Sequence, residues 1–219
     1  MIKLIELSHS VAHGKVTYPG VPAPIVCDFL SREASEAHYA EGVSFCINQV
    51  DMPANTGTYI DSPFHRYAQG ADLAQMPLES VAQLDGVVFR VRHGDRAVGL
   101  ETFEGHEVRG KAVLVETGWS QHWGTDQYFE NHPFLTRESA EYLRGNGAVL
   151  VGIDSLNIDD TDDPYRPVHS ILLDAEIPII EHMCNLEALP SDGFVFHAAP
   201  VKVHDFGTFP VRAYGVVSA

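Results

Sequence analysis

The chain has 219 residues, and its 45% hydrophobic and 10% aromatic residues are enough to build a packed core. Its 14 Lys and Arg residues stand against 30 Asp and Glu residues, which gives a formal net charge of −16. So negative a protein repels phosphate backbones and anionic membrane surfaces, and neither nucleic acid nor a membrane is therefore an expected partner.

The predicted elements begin at the N-terminus with a short strand rather than a targeting segment. Residues 1–6 carry no basic stretch followed by an apolar one, and no apolar run reaches the ~18–20 residues of a membrane span. We therefore expect a soluble, cytoplasmic protein. Short β-branched runs bounded by Gly, Pro or Asp predict strands. These runs cover residues 3–7, 86–92, 111–116, 147–153, 177–180 and 194–196.

Helical patterns are fewer than strand patterns. Residues 135–145 predict a helix in which Thr136 caps the N-terminus and Gly145 ends the last turn. A second helix is predicted over residues 77–84, where Pro77 stands at an allowed early position. Because strands outnumber helices and neither a repeat nor a linker divides the chain, we predict a single α/β domain over residues 1–219. Its central sheet is expected to be mixed and to carry few helices.

The segment 55–65 reads Asn-Thr-Gly-Thr-Tyr-Ile-Asp-Ser-Pro-Phe-His and is too irregular for one strand or one helix. Gly57 permits a positive φ, and Pro63 stiffens the approach to His65. Rigidity of this kind suits a loop that holds catalytic or metal-binding groups in position. On composition alone the segment also fits an ordinary surface loop with a turn glycine and one solvated histidine.

The segment resembles the motif His-x-Gly-Thr-His-x-Asp-x-Pro-x-His of the cyclase family of metal-dependent hydrolases, which includes bacterial kynurenine formamidase and isatin hydrolase. Gly57, Thr58, Asp61, Pro63 and His65 match this motif in register. Further short matches follow in the family's order along most of the chain. They are Leu7-Ser-His9, Tyr18-Pro-Gly20, Glu116-Thr-Gly-Trp119, His132-Pro133, Gly152-Ile-Asp154, the stretch from His169 to Glu181, and Pro210-Val-Arg-Ala213.

The resemblance implies a metal site, and two departures limit that site to one ion. Asn55 and Tyr59 stand where family members have the first two histidines of the motif. The metal position that those histidines share with the motif Asp is therefore expected to be absent. The family's other metal position implies four ligands, namely Asp61, His65, His169 and Glu181. Two carboxylates and two imidazoles suit a single Zn²⁺ or Mn²⁺ ion.

The resemblance also implies hydrolysis of an amide, formamide or lactone bond in a small carbonyl compound, with arylformamidase-like chemistry on C–N bonds. His65 is then a fourth ligand or a proton shuttle, and Glu181 is a ligand or another proton carrier. Tyr59 and Asn55 can donate hydrogen bonds to a developing oxyanion, and the ring of Tyr59 can instead serve in aromatic packing.

Two other functions remain open at this point. In the first, a metal-free cyclase, dehydratase or isomerase uses Tyr59, Asp61 and His65 for acid–base work. In the second, the chain is a non-catalytic relative that binds a small ligand. The resemblance further implies a barrel-like mixed sheet of the swivelling β/β/α type and assembly into homodimers or homotetramers. Six other histidines show no ligand spacing, namely His13, His38, His93, His106, His122 and His132.

Overall fold

The computed structural model describes residues 1–92 and 94–218, so the prediction for His93 lies outside the described residues. The strands are β1 (Ile2–Glu6), β2 (Ile25–Leu30), β3 (Ile47–Asp51), β4 (Tyr59–Asp61), β5 (Leu84–Arg90), β6 (Ala97–Val98), β7 (Lys111–Glu116), β8 (Phe134–Leu135), β9 (Leu150–Ile153), β10 (Ile179–Glu181), β11 (Phe194–His197), β12 (Thr208–Pro210) and β13 (Tyr214–Ser218). The α-helices are α1 (Arg32–Glu36), α2 (Arg137–Gly145) and α3 (Pro167–Asp174). Among the described residues, no helix combines the length and the apolar character that a bilayer span requires.

Nine strands form one mixed sheet in the order β1-β13-β11-β5-β7-β9-β10-β4-β12. Strands β5, β7, β9 and β10 run parallel at its centre, and antiparallel neighbours flank them on both sides. The sheet is curled into a half-barrel with few helices, which confirms the predicted α/β fold. Strands β2 and β3 form a separate antiparallel hairpin, and β6 and β8 form a short parallel pair.

Two hydrophobic clusters lie on opposite faces of this sheet. Along β7, Val113 and Val115 belong to the cluster that includes α2 and α3, whereas Ala112 and Leu114 belong to the cluster on the other face. Successive strand residues point to opposite faces, so this alternation buries β7 on both sides. The continuous apolar sequences of the central strands predict this arrangement.

All six predicted strands are present with small shifts at their ends, and the helix predicted over 135–145 is confirmed as α2. Its cap is the predicted one, since the Thr136 hydroxyl accepts from the Ser139 N–H at 3.3 Å. The helix predicted over 77–84 is wrong. Only Leu78–Ser80 forms a single 3-10 turn, because Leu84 pairs with Phe196 and thereby enters the sheet at the start of β5.

Candidate functional site

The segment 55–65 folds as a bend, a short strand and a 3-10 turn rather than as a single loop. Strand β4 lies between β10 and β12, which buries Asp61 completely at the strand's end. Gly57 has a positive φ of +69°, which a glycine permits, and a Cβ there would lie 3.1 Å from Val11. Residues 56–63 are buried and His65 is exposed, so the ordinary surface loop is wrong for this segment except at its last residue.

Thr208 of β12 holds Asp61 and His65 together. Its hydroxyl oxygen lies 2.5 Å from Asp61 Oδ1 and 2.8 Å from His65 Nδ1. A carboxylate only accepts hydrogen bonds, so the hydroxyl donates to Asp61 while its oxygen accepts from the Nδ1–H of His65. With its Nδ1 proton engaged in this way, His65 keeps Nε2 for another partner.

Asp159 fixes the orientation of His169 at the N-terminus of α3. Its carboxylate accepts from the backbone N–H groups of Val168 at 2.7 Å and His169 at 3.0 Å. A carboxylate is stabilised at this end of a helix. The same carboxylate lies 2.6 Å from His169 Nδ1, which therefore donates to it. Nε2 of His169 then faces Asp61 Oδ2 at 3.6 Å.

Potential ligand atoms of Asp61, His65 and His169 converge, lying within 4.8 Å of one another. Among the described residues, Asp61 Oδ2 is buried without a hydrogen-bond partner, which is costly for a carboxylate oxygen unless a cation contacts it. Glu181 lies beside them, with Oε1 3.6 Å from His169 Nε2, although this oxygen also accepts from the Ile158 N–H at 2.6 Å. Carboxylates and imidazoles so arranged fit a divalent metal ion.

The buried charges of the cluster shift the pKa values of its members. Burial opposes the charge on His169, but the hydrogen bond with Asp159 and the nearby charges of Asp61 and Glu181 outweigh burial and raise its pKa to about 10. Burial also opposes the charge on Asp61, yet the neighbouring His65 and His169 hold its pKa below the usual range. Burial raises the pKa of Glu181 to about 7 against the opposing effect of His169. The cluster therefore favours bound positive charge, carried by protons or by a cation.

A cavity of about 500 Å³ opens onto this cluster. Five of the residues predicted for the site line it, namely Asn55, Tyr59, His65, His169 and Glu181. The sixth, Asp61, has a fully buried side chain. The fold thus brings all six predicted residues to one region, and their chemical roles stay predictions.

Tyr59 is engaged with Glu181. Its hydroxyl donates to Glu181 Oε2, and the Asn157 amide also donates to this oxygen at 3.3 Å. Burial and the charge of Glu181 raise the pKa of Tyr59 well above its usual value, so the side chain stays a neutral phenol. In this structure the Tyr59 hydroxyl therefore donates its hydrogen bond to Glu181.

An aromatic cluster behind Tyr59 encloses His182. The imidazole is fully buried, and its centroid lies 5.1 Å from the ring of Tyr59 and 5.5 Å from that of Trp123. Both of its ring nitrogens are without a hydrogen-bond partner in the described part of the chain. Burial, with a smaller effect of His9, lowers the pKa of His182 to about 3.

Acid is therefore expected to destabilise the fold through His182. Above about pH 6.5 the imidazole is neutral in both the folded and the unfolded chain, so it imposes no pH dependence there. Below that pH only the unfolded chain takes up the proton, and the free energy of unfolding falls by about 2 kcal/mol by pH 5. We therefore expect the free energy of unfolding of His182→Phe, measured by urea denaturation, to fall less than that of the wild type between pH 7 and pH 5. His38→Phe, at an exposed position, is the matched control, and equal slopes for wild type and His182→Phe would contradict the assignment.

Sequence reasoning missed two residues that orient the cluster. Asp159 opens an acidic run, with Asp160, Asp162 and Asp163, that is typical of a solvated loop. Thr208 lies 147 residues from Asp61, the residue to which it donates. For Asp159 the sequence offers one weak signal, which is that it lies ten residues before His169 and just ahead of a helix. For Thr208 it offers none.

Comparisons with known proteins find related sequences and a shared fold. A family model described as "Putative cyclase" matches residues 5–160. Kynurenine formamidase from Bacillus cytotoxicus is 27% identical over 210 residues, covering 95% of both chains. Kynurenine formamidase from Geobacillus thermodenitrificans is 28% identical over 182 residues, covering 80% of this chain and 81% of the relative. Isatin hydrolase A from Labrenzia aggregata shares the fold with a TM-score of 0.84 at 20% identity, over all of this chain and 94% of the other.

Proposed function

This chain belongs to the cyclase family, and from that membership we propose that it is a metal-dependent hydrolase of an amide, formamide or lactone bond in a small compound. The similarity to two kynurenine formamidases supports arylformamidase-like cleavage of C–N bonds. The observation that carries the proposal is the buried Asp61 Oδ2, which lacks a hydrogen-bond partner among the described residues and lies beside two oriented imidazoles.

We assign Asp61, His65 and His169 as ligands of one divalent ion, Zn²⁺ or Mn²⁺. When bound, such an ion supplies Lewis-acid polarisation of the scissile carbonyl and activation of water. Hydrolysis adds one water across the C–N bond, so the acyl carbon gains the oxygen and the leaving nitrogen gains a proton. Glu181 has both oxygens fixed by hydrogen bonds and lines the cavity, which suits it to carry that proton.

The proposal is tested with protein purified without chelator. Metal content is measured, and formanilide, lactones and cyclic imides are assayed with and without added Zn²⁺ or Mn²⁺. We expect about one equivalent of metal and metal-dependent release of formate or of the ring-opened product. Less than a tenth of an equivalent, with no activity restored by either ion, would refute the metal-dependent assignment.

Tyr59→Phe is expected to lower kcat/KM about 10-fold or somewhat more, because Glu181 loses a hydrogen bond to its charged form. Metal content should stay near that of the wild type. Tyr67→Phe is the matched control, since that phenol donates to the Ser170 carbonyl outside the cavity. An unchanged kcat/KM would remove Tyr59 from the site. A loss above about 1000-fold with a shifted pH profile would instead favour the metal-free acid–base function.

We also propose that the chain forms a homodimer or homotetramer through the β2–β3 hairpin. Apolar side chains on this hairpin and its connection are exposed, including Phe29 at 74% and Phe45 at 53%. An isolated two-stranded hairpin is marginally stable in water, and an exposed apolar patch commonly marks an interface. We expect Phe29→Asp to reduce the mass measured by light scattering, whereas Leu78→Asp, at an exposed apolar residue elsewhere, should leave it unchanged. A monomeric wild type would contradict this proposal.

A further inference from the structure

Two arginines line the cavity of this strongly acidic chain. Arg66 is exposed and donates from Nε to the Ser170 hydroxyl at 3.2 Å. Arg166 is half-buried and directly precedes α3, where it has a positive φ of 46°. A non-glycine residue in this backbone region carries a conformational cost, so its surroundings hold it there. Arg166 is therefore the more firmly positioned of the two cations.

The guanidinium of Arg166 is held by neutral acceptors. Nη1 donates to Asn157 Oδ1 at 3.3 Å and to the Asp160 carbonyl at 3.4 Å, and Nη2 donates to the Thr161 carbonyl at 3.2 Å. These contacts use three of the five N–H donors of an arginine. In the described ranges, no carboxylate oxygen lies within 4.0 Å of its nitrogens. Arg166 therefore forms no direct ion pair there and keeps part of its hydrogen-bonding capacity, although it contacts the backbone of the acidic run at residues 159–163.

Arg166 lies next to Glu181 of the candidate site, with only Asn157 between them. The Asn157 side chain accepts from Arg166 and donates to Glu181 Oε2 at 3.3 Å, so one side chain separates the guanidinium from Glu181. Arg166 and Glu181 line the same cavity, which one small molecule can occupy. A divalent ion would balance the charges of Asp61 and Glu181, and the third carboxylate of the cluster, Asp159, is paired directly with His169 rather than with Arg166.

We propose that Arg166 is an anion-binding group of the cavity and that the substrate carries a carboxylate close to its scissile amide or lactone bond. This inference rests on the proposed function and narrows it to anionic substrates. A guanidinium recognises a carboxylate through two parallel N–H donors, which an ammonium or an amide does not reproduce. After its three contacts Arg166 keeps two donors, and the hydroxyl of Tyr18, which lines the same cavity, is the neighbour that an anion would displace from them.

A purely structural role for Arg166 predicts a different result. The same side chain joins Asn157 to the backbone at residues 160 and 161, so its loss could disturb Glu181 through Asn157. Such a disturbance lowers kcat for every substrate. Loss of an anion site instead raises KM and weakens binding for the carboxylate-bearing compound alone.

The experiment compares N-formylanthranilate with formanilide, which lacks only the ortho carboxylate. Binding of each compound to the metal-loaded protein is measured by calorimetry, and turnover is measured separately. We expect the wild type to prefer N-formylanthranilate, and we expect Arg166→Gln to weaken its binding roughly 10- to 100-fold. The affinity for formanilide should change less than about threefold, and Arg166→Lys should recover part of the lost affinity for N-formylanthranilate.

Arg137→Gln removes the same charge from a surface ion pair in α2 and serves as the control. The anion site would be overturned if the wild type bound the two compounds with equal affinity. It would also be overturned if Arg166→Gln lost affinity equally for both compounds. Failure to bind either compound would overturn it as well. Because binding is measured apart from turnover, a protein that binds N-formylanthranilate through Arg166 but never hydrolyses a substrate would reject the proposed function and keep the anion site.

Discussion

Asp61→Asn is expected to reduce kcat/KM by more than about 100-fold, which exceeds the loss usually seen when an outer partner of a metal ligand is removed. Asparagine keeps the shape of the side chain, and its carbonyl oxygen can still accept the hydrogen bond from Thr208. The substitution removes the negative charge and the buried Oδ2 that faces His169 at 3.6 Å. Metal affinity and activity should therefore fall together while the fold is kept.

The Asp61 result is checked by measuring bound metal and kcat/KM on the same preparation. Asp174→Asn is the matched control, because that carboxylate forms an exposed ion pair with Arg144 on α2. Circular dichroism and thermal unfolding establish that each variant folds. An Asp61→Asn protein that retains both full metal content and full activity would remove Asp61 from the site.

Asp159→Asn is expected to weaken metal binding about 10- to 100-fold, although Asp159 is not itself proposed as a ligand. The wild-type carboxylate accepts from His169 Nδ1 at 2.6 Å and thereby fixes a donating Nδ1. An asparagine can still accept from the His169 N–H and Nδ1 through its one oxygen, but its amide nitrogen then faces the Val168 N–H as a second donor, and the negative charge beside the imidazole is lost. The imidazole is then less firmly oriented and less basic as a metal ligand.

A competition titration against a chelating dye gives the affinity for Zn²⁺ and Mn²⁺ in wild type and variant. The neighbouring Asp160→Asn is the control, since that side chain contacts Arg96 at 3.6 Å and the Asp162 N–H instead of His169. Activity at saturating metal should recover much of the wild-type value if Asp159 acts through affinity. Identical metal affinity in wild type and Asp159→Asn would reject this role.

Local sequence patterns were sufficient to predict much of the fold. The parallel central strands are continuous β-branched runs bounded by turn residues, and burial on both faces requires such runs. Helix α2 was equally visible, because the capping hydroxyl of Thr136 and the end at Gly145 act within a few residues. The helix predicted over 77–84 failed because pairing of Leu84 with β11, over a hundred residues away in sequence, outweighed a local preference.

The sequence by itself determined the family resemblance and the chemical types of the site residues, because motif residues and their spacing are carried directly by the chain. Only the tertiary structure decided how those side chains are oriented. The insertion of β4 between β10 and β12 brings Thr208 onto Asp61 and His65. The start of α3 brings Asp159 onto His169 and leaves Arg166 facing neutral acceptors. Each of these contacts depends on strand register or helix position, and hydrogen-bond geometry is too short-ranged to be read from residue order.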